Sequence, residues 1–389
     1  MAADLSSSTL TAPLPAEIRS RFPVFEHQTY LNSCSQGALS DAVRSAYGEY
    51  LSGLELEGSL WEHWVARQER VRVALAQLLG ATPAEMAVTT STSAAVGAVA
   101  SALDLSGGRR KIVTTDLEFP TTGQIWHAQE RRGASVVHVR SDPDNTLPLA
   151  GLEQAIDDRT ALVSVTHVCY RNGAMLDLAP VVALARERGA YVLVDAYQSV
   201  GALPLDVSQL DADFVVGGAL KYLLGSPGVG FLFARGGRTD GLVPTATGWF
   251  AARDIFAMGI DSYDPAPDAR RFEAGTPAVP SLYAAAAGIE LMLEIGVERT
   301  RRHVAGLLEQ LRDGLAELGA TVATPAYAQG PMLAVASRDE HAHVAGLGRD
   351  KIVVSSRDGN VRISPHCYNT AGDIDVLLAA LATHRSLLR

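Results

Sequence analysis

The sequence predicts an α/β protein: a mostly parallel, helix-covered sheet followed by a small C-terminal α+β domain. From Met86 onward, short, β-branched, continuously apolar runs alternate with helical stretches. Strands buried on both faces by crossover helices have this pattern. After an irregular Gly-, Asp- and Pro-containing stretch at 236–271, helical spacing returns and leads into three more strand-like segments. At 389 residues the chain exceeds what one core comfortably holds, so one large and one smaller domain are expected. The boundaries read as a flexible tail at 1–20, a large domain at 21–270 and a small domain at 271–389. The N-terminal arm of the large domain is expected to contribute to the small domain or to the site.

Residues 1–15 are rich in Ser, Ala, Thr and Pro. They lack the basic start and continuous apolar core of a signal peptide and read as a frayed tail. A short strand at 29–33 runs into a polar turn, and apolar spacing predicts helices over 41–53 and 61–79. Strands follow at 112–114, 135–139, 161–165, 191–194, 213–216 and 228–233, with a helix over 177–188. The long irregular stretch at 236–271 is of the kind that often carries function. Helices over 281–295 and 297–318 then precede strands at 321–323, 332–335 and 352–355, and a last helix starts at 371.

Composition excludes several classes. With 47% hydrophobic and 20% charged residues the chain reads as an ordinary soluble protein. A net charge of −10 argues against a nucleic-acid or anionic-membrane surface. Cys34, Cys169 and Cys367 are widely spaced, with no CxxC pair, which suits a reducing cytoplasm and gives no metal-binding pattern. No apolar run approaches the length of a membrane span. No GxxxxGK[ST] or strand-following GxGxxG occurs, so Leu105-Ser106-Gly107-Gly108 reads as a turn.

The chemistry concentrates around a lysine. Lys221 lies in the apolar, glycine-edged run Gly217-Gly218-Ala219-Leu220-Lys221-Tyr222-Leu223-Leu224-Gly225, downstream of Asp195 at the end of the strand Tyr191-Val192-Leu193-Val194. A buried ammonium is costly, so a lysine here is expected to be neutralised or covalently engaged. A carboxylate at the C-terminal end of a buried strand stands where open α/β sheets place ligands. Together the two suggest pyridoxal 5'-phosphate, with Lys221 as its Schiff-base lysine and Asp195 as partner of the pyridinium nitrogen. Thr89-Thr90-Ser91-Thr92-Ser93 supplies hydroxyls just before an Ala-rich helix, where a phosphate would find amides and hydroxyls. Thr92 or Ser93 could equally cap that helix.

Asp195-Ala196-Tyr197-Gln198, Lys221 and Arg271-Phe272-Glu273-Ala274-Gly275-Thr276-Pro277 resemble the class V aminotransferase group of fold-type I pyridoxal phosphate enzymes. The resemblance runs from about Tyr30 to the C-terminus. It implies a seven-stranded, mostly parallel sheet in the large domain. It also implies phosphate binding by Thr92 and Ser93, ring stacking by Phe119, and a contact from Gln198 to the phenolic oxygen of the cofactor. Trp249 and Thr276 would reach the phosphate of the neighbouring subunit, making a homodimer with shared sites. Arg362 would bind the substrate α-carboxylate, a task that suits a planar guanidinium. His167 reads equally as a strand-end structural residue or a site residue.

Among reactions of this group, persulfide chemistry needs a cysteine on a loop before the carboxylate-binding arginine, and 352–360 contains none. Similarity to kynureninases is visible at Phe119-Pro120-Thr121-Thr122, His167-Val168-Cys169-Tyr170-Arg171-Asn172-Gly173 and Gly248-Trp249. Yet Leu220 stands where kynureninases carry tyrosine, Thr122 where they carry an acidic residue, and Gln198 where they carry histidine. The resemblance therefore implies an enzyme that acts on an α-amino acid through an external aldimine and quinonoid. It would be a class V aminotransferase or a side-chain lyase, with an epimerase or a catalytically idle binding protein of the same fold as alternatives. Lys221 would be the base that removes the Cα proton.

Overall fold

The computed structural model describes residues 14–389. The tail expected at 1–20 lies outside the described residues up to position 13. Leu14 and Ile18 are packed in an apolar cluster with Phe22, Leu291 and Tyr368, and Arg19 pairs with Asp373 at 2.7 Å. The arm continues through strand β1 (Thr29–Tyr30) and helices α1 (Asp41–Leu56) and α2 (Trp61–Leu79). Ser40 caps α1 by accepting a bond from Val43 N at 3.2 Å, and Gly80, at φ 67°, closes α2 in the left-handed region.

The central layer is built next, strand by strand. In chain order come β2 (Met86–Thr89), α3 (Thr92–Ala102), β3 (Lys111–Thr115), α4 (Pro120–Ala128), β4 (Ser135–Val139), α5 (Leu149–Ala155) and β5 (Thr160–Thr166). They are followed by α6 (Leu178–Glu187), β6 (Tyr191–Asp195), α7 (Val207–Leu210), β7 (Phe214–Gly218) and β8 (Gly230–Ala234). The seven strands are ordered β2-β8-β7-β6-β5-β3-β4. β8 runs antiparallel to both neighbours and the other pairs are parallel. Six strands therefore share one direction, and their C-terminal ends line one edge of the sheet.

Alternate residues of each strand serve the two faces. Val163, Val165, Val192 and Val194 pack with Leu75 and Leu79 of α2 and with Val181 and Val182 of α6. Leu162 and Leu193 pack with Val96, Val99, Trp126 and Phe272 on the opposite face.

Beyond the sheet, α8 (Val279–Ile295) packs on α1 and α2, and α9 (Val297–Glu317) follows a 76° bend. Gly296 turns this corner at φ 88°. No single helix among the described residues is long and apolar enough to cross a membrane. The last elements are β9 (Leu333–Ala336), α10 (Glu340–Arg349), β10 (Ile352–Val353), β11 (Ser355–Arg357), β12 (Asn360–Ile363) and α11 (Ala371–Thr383). β11, β12 and β9 form an antiparallel sheet, and Leu333, Val335 and Ile363 meet Leu307, Leu311 and Leu377 of α9 and α11.

Two local expectations are corrected, and the irregular stretch at 236–271 is found as expected. The strand at 321–323 is a single bridge between Val322 and Val335, because no further register forms beside β9. The strand at 352–355 is two strands, since β10 pairs with β1 while β11 pairs with β12. The stretch 236–271 contains only short helical turns at Trp249–Ala251 and Ala269–Phe272 and one bridge, Ala252 to Pro265.

Candidate active site

The C-terminal ends of the parallel strands deliver most of the site. β6 ends in Asp195, which is buried and accepts a bond from Tyr197 N at 2.9 Å. Burial raises its pKa, opposed by that backbone N–H and by the charge of Lys221. β7 ends in Gly217-Gly218 and feeds the loop carrying Lys221. A β-carbon on Gly218 would lie 2.8 Å from the Tyr197 ring, so glycine leaves room for that ring. Lys221 Nζ sits 4.2 Å from the Tyr197 ring centroid, a cation–π distance. Burial lowers the Lys221 pKa to about 8; Cys34 and Asp195 oppose the fall, while Arg362 and Arg357 add to it. Burial, with the charge of Asp195, pushes the Tyr197 phenol up to about 12.

The N-terminal arm closes the site from the other side. Gly37 N donates to Leu220 O at 2.9 Å, and a β-carbon on Gly37 would come within 2.4 Å of Lys221 O. Only glycine allows that approach. Gln198 donates to Cys34 O at 3.1 Å, while its Oε1 is buried without a partner.

Arg362, on β12, is buried and donates to Tyr170 O at 2.7 Å, Ser355 Oγ at 2.9 Å and Ser35 Oγ at 3.1 Å. All three acceptors are neutral, and its Nε has no partner. Among the described residues no carboxylate pairs with it. A buried cation satisfied only by neutral oxygens keeps its charge for an anion.

At the start of α3 the structure settles the capping question. Ser91, and not Thr92 or Ser93, is the cap, accepting from Ala94 N at 3.1 Å. Thr92 Oγ1 is left buried with no partner, and Ser93 Oγ, exposed, donates to Thr121 Oγ1 at 3.3 Å. Phe119, 44% exposed, meets Tyr170 edge-on at 4.9 Å. Through Tyr170 O this aromatic pair reaches Arg362. Glu118 accepts from Thr166 N at 2.6 Å and from Thr115 Oγ1 at 3.1 Å. Burial, and then the charge of Asp195, drive its pKa well above the ordinary carboxylate range.

His167 Nδ1 lies 2.9 Å from Ser199 Oγ, and burial lowers its pKa to about 4, which keeps the ring neutral. Its backbone N–H donates to Asp195 O at 2.9 Å, so it helps anchor the strand end. Trp249 packs edge-on against Trp61 at 5.4 Å and its indole N–H donates to Ile255 O. Thr276 is exposed. No hydrogen bond or ring contact joins either residue to the group around Lys221. Within the same motif Glu273 is structural: it accepts from Arg72 Nη1 at 2.7 Å, Val88 N at 2.7 Å and Gln68 Nε2 at 2.9 Å. It thereby ties β2, and with it the start of α3, to α2.

Sequence reasoning missed Tyr197, Ser35 and Ser355. Tyr197 lies inside the Asp195-Ala196-Tyr197-Gln198 motif and could have been found there. Ser35 meets Arg362 across 327 positions and carries no local signal.

Comparison with known proteins identifies the family. The family model described as aminotransferase class-V matches residues 37–377. An uncharacterized aminotransferase, YcbU, of Bacillus subtilis is 38% identical over 92% of this chain and 94% of its own length. Kynureninase of Deinococcus radiodurans is 33% identical over 78% of this chain and 75% of its own. The structure of a C-DES mutant with glycine covalently linked to its pyridoxal phosphate cofactor superposes with a TM-score of 0.85 at 26% identity, covering 94% of this chain and 98% of that one. The expected fold-type I architecture is therefore the one observed. The chain belongs to the class-V aminotransferase family of pyridoxal phosphate enzymes.

Proposed function

We propose that the chain converts an α-amino acid by transamination or by side-chain lyase chemistry, with Lys221 as the cofactor's anchor. The carrying observation is Arg362, a buried guanidinium held by three neutral oxygens and close enough for its charge to act on Lys221. The surroundings fit pyridoxal 5'-phosphate. Thr92 Oγ1 and Gln198 Oε1 are buried polar atoms without partners, and Thr92 opens α3, a helix N-terminus that favours an anion.

When bound, the cofactor supplies an electron sink for negative charge at the substrate Cα. Asp195 would hold a proton on the ring nitrogen, Thr92 and Ser93 would bind the phosphate, Gln198 the phenolic oxygen, and Phe119 would cover the ring. Arg362 fixes the substrate carboxylate. Lys221, once free, takes the Cα proton, since an amine with a pKa of about 8 is a competent base near neutrality. The hairpin from β11 to β12 carries no cysteine, and Cys367 is buried with its thiol pushed up by burial. A dedicated persulfide carrier is therefore not part of this reading.

A homodimer is part of the proposal. Phe256, Met258, Ile260 and Tyr263 are 53%, 62%, 93% and 42% exposed on the segment after Trp249, an apolar surface that a second copy would cover. Trp249 and Thr276 would then serve the partner's phosphate. The three cysteines are unpaired, which supports a cytoplasmic location.

The test is direct. The protein should be yellow, absorbing at roughly 410–430 nm, and borohydride should fix the cofactor to the wild type but not to Lys221→Ala. A colourless protein that takes up no added cofactor would refute the reading. Product analysis with and without a keto-acid acceptor then separates transaminase from lyase.

A further inference from the structure

We propose that Arg357 forms a second anion subsite, and that the substrate is an α-amino acid with an acidic group at the end of its side chain. The inference rests on the active-site reading above and names the substrate class for that site. It begins with the hairpin. Asp358 and Gly359 have φ of 49° and 75°, the paired positive values of a tight two-residue turn, for which Asp-Gly is a favoured pair. β11 and β12 are thereby held in register, Ser355 opposite Arg362 and Arg357 opposite Asn360.

Side chains two apart on a strand share a face. Ser355 uses that face to touch Arg362 at 2.9 Å and Ser35 at 3.3 Å. Arg357 is therefore on the face that looks into the site, roughly 7 Å further along the strand. Its charge reaches both Lys221 and Tyr170, where it works against a protonated amine and in favour of a phenolate.

Arg357 is also uncompensated. Its exposed guanidinium makes one hydrogen bond, to Ser356 O at 2.8 Å, and among the described residues it pairs with no carboxylate. The neighbouring Arg171, by contrast, is paired with Asp358 at 3.2 Å. The carboxylates Asp195 and Glu118 are buried at the sheet edge. In a chain of net charge −10, two unpaired guanidiniums on one hairpin face amount to a local reversal of charge. Arg362 engages the substrate's carboxylate and Lys221 its Cα proton, so the side chain is left the side where Phe119 packs on Tyr170 and the charge of Arg357 acts. An acidic terminus there would meet a guanidinium mounted on a stiff hairpin.

The experiment titrates the cofactor-loaded protein with alanine, aspartate, glutamate and 2-aminoadipate, following the visible band. At least one dicarboxylic amino acid should bind more tightly than alanine. Arg357→Ala should lower that ratio about tenfold, the loss of a charged contact at a half-open site. Arg357→Lys should keep part of the preference and Arg357→Glu should abolish it. Thermal melting of each variant shows that the hairpin still folds. A ratio unchanged within twofold in both Arg357→Ala and Arg357→Glu, or a wild type indifferent to the second carboxylate, overturns the proposal while the active-site reading stands. A wild type whose visible band responds to no amino acid overturns both.

Discussion

Arg362→Ala is the change that most directly tests the site. In the structure the guanidinium gives Nη1 to Tyr170 O and Nη2 to Ser35 and Ser355, while Nε is free. A carboxylate docking there gains a charge-assisted contact in a site that excludes most water. Truncating one partner of such a buried pair costs about 2–5 kcal/mol. At about 1.4 kcal/mol per decade, amino-acid affinity should fall about 30- to 4000-fold. The assay is titration of the visible band with amino acid, beside cofactor content and melting temperature. Arg362→Lys should fall between, because it keeps the charge but loses the planar fork. A simple alkylamine, lacking the carboxylate, should bind wild type and variant alike, which separates a lost contact from a collapsed site. A fall of less than about threefold with cofactor content intact would refute the assignment of Arg362.

Two further outcomes follow from other parts of the molecule. Glu273→Ala leaves Arg72, with 3% of its side chain exposed, without its buried partner and should cost about 3 kcal/mol or more. Denaturant unfolding reads this, and a loss under 1 kcal/mol would show that Glu69, which also pairs with Arg72 at 2.9 Å, carries the load. Cofactor uptake by the cofactor-free protein should rise with pH with its midpoint at about 8, because only neutral Lys221 can attack. Asp195 holds that pKa up, so Asp195→Asn should move the midpoint down. A midpoint near the ordinary lysine value would refute the burial argument.

The parts of the fold written in local pattern were legible in the sequence. Strands such as Tyr191–Asp195 are buried on both faces and announce themselves as apolar runs, and α2 was read at its observed limits. The order of the strands was not legible, because β2 and β8 meet across more than a hundred positions and nothing local encodes that pairing. The split at Val354 has the same origin, since β10 answers to β1 in the distant arm. Among the candidate site residues, Asp195 was legible because it ends an apolar strand, and Lys221 because it interrupts an apolar run in the loop after β7. Ser35 and Ser355 look like any polar loop or strand residue, and only the folded arm gives them Arg362 to hold. Glu273 was legible as part of a motif but not in its work, because its three donors come from α2 and β2.

Burial, adjusted by the charges around it, accounts for the basicity expected of Lys221. Two carboxylates, Asp195 and Glu118, are buried near one another at the end of the sheet. They do not ionise equally. Glu118 is driven further from its ordinary range, since beyond burial it also feels the charge of Asp195, whereas Asp195 is steadied by Tyr197 N–H and by Lys221. Of the two, Asp195 is the better placed to hold a negative charge. On the other side stand Arg362 and Arg357, both of which disfavour an ammonium on Lys221. Burial brings the Lys221 pKa down to about 8, the two guanidiniums add to that fall, and an incoming substrate carboxylate would cancel part of the guanidinium charge. Substrate binding should therefore raise the basicity of Lys221 at the moment a base is needed, which ties the arginines of the small antiparallel sheet to the proton chemistry at the edge of the large one.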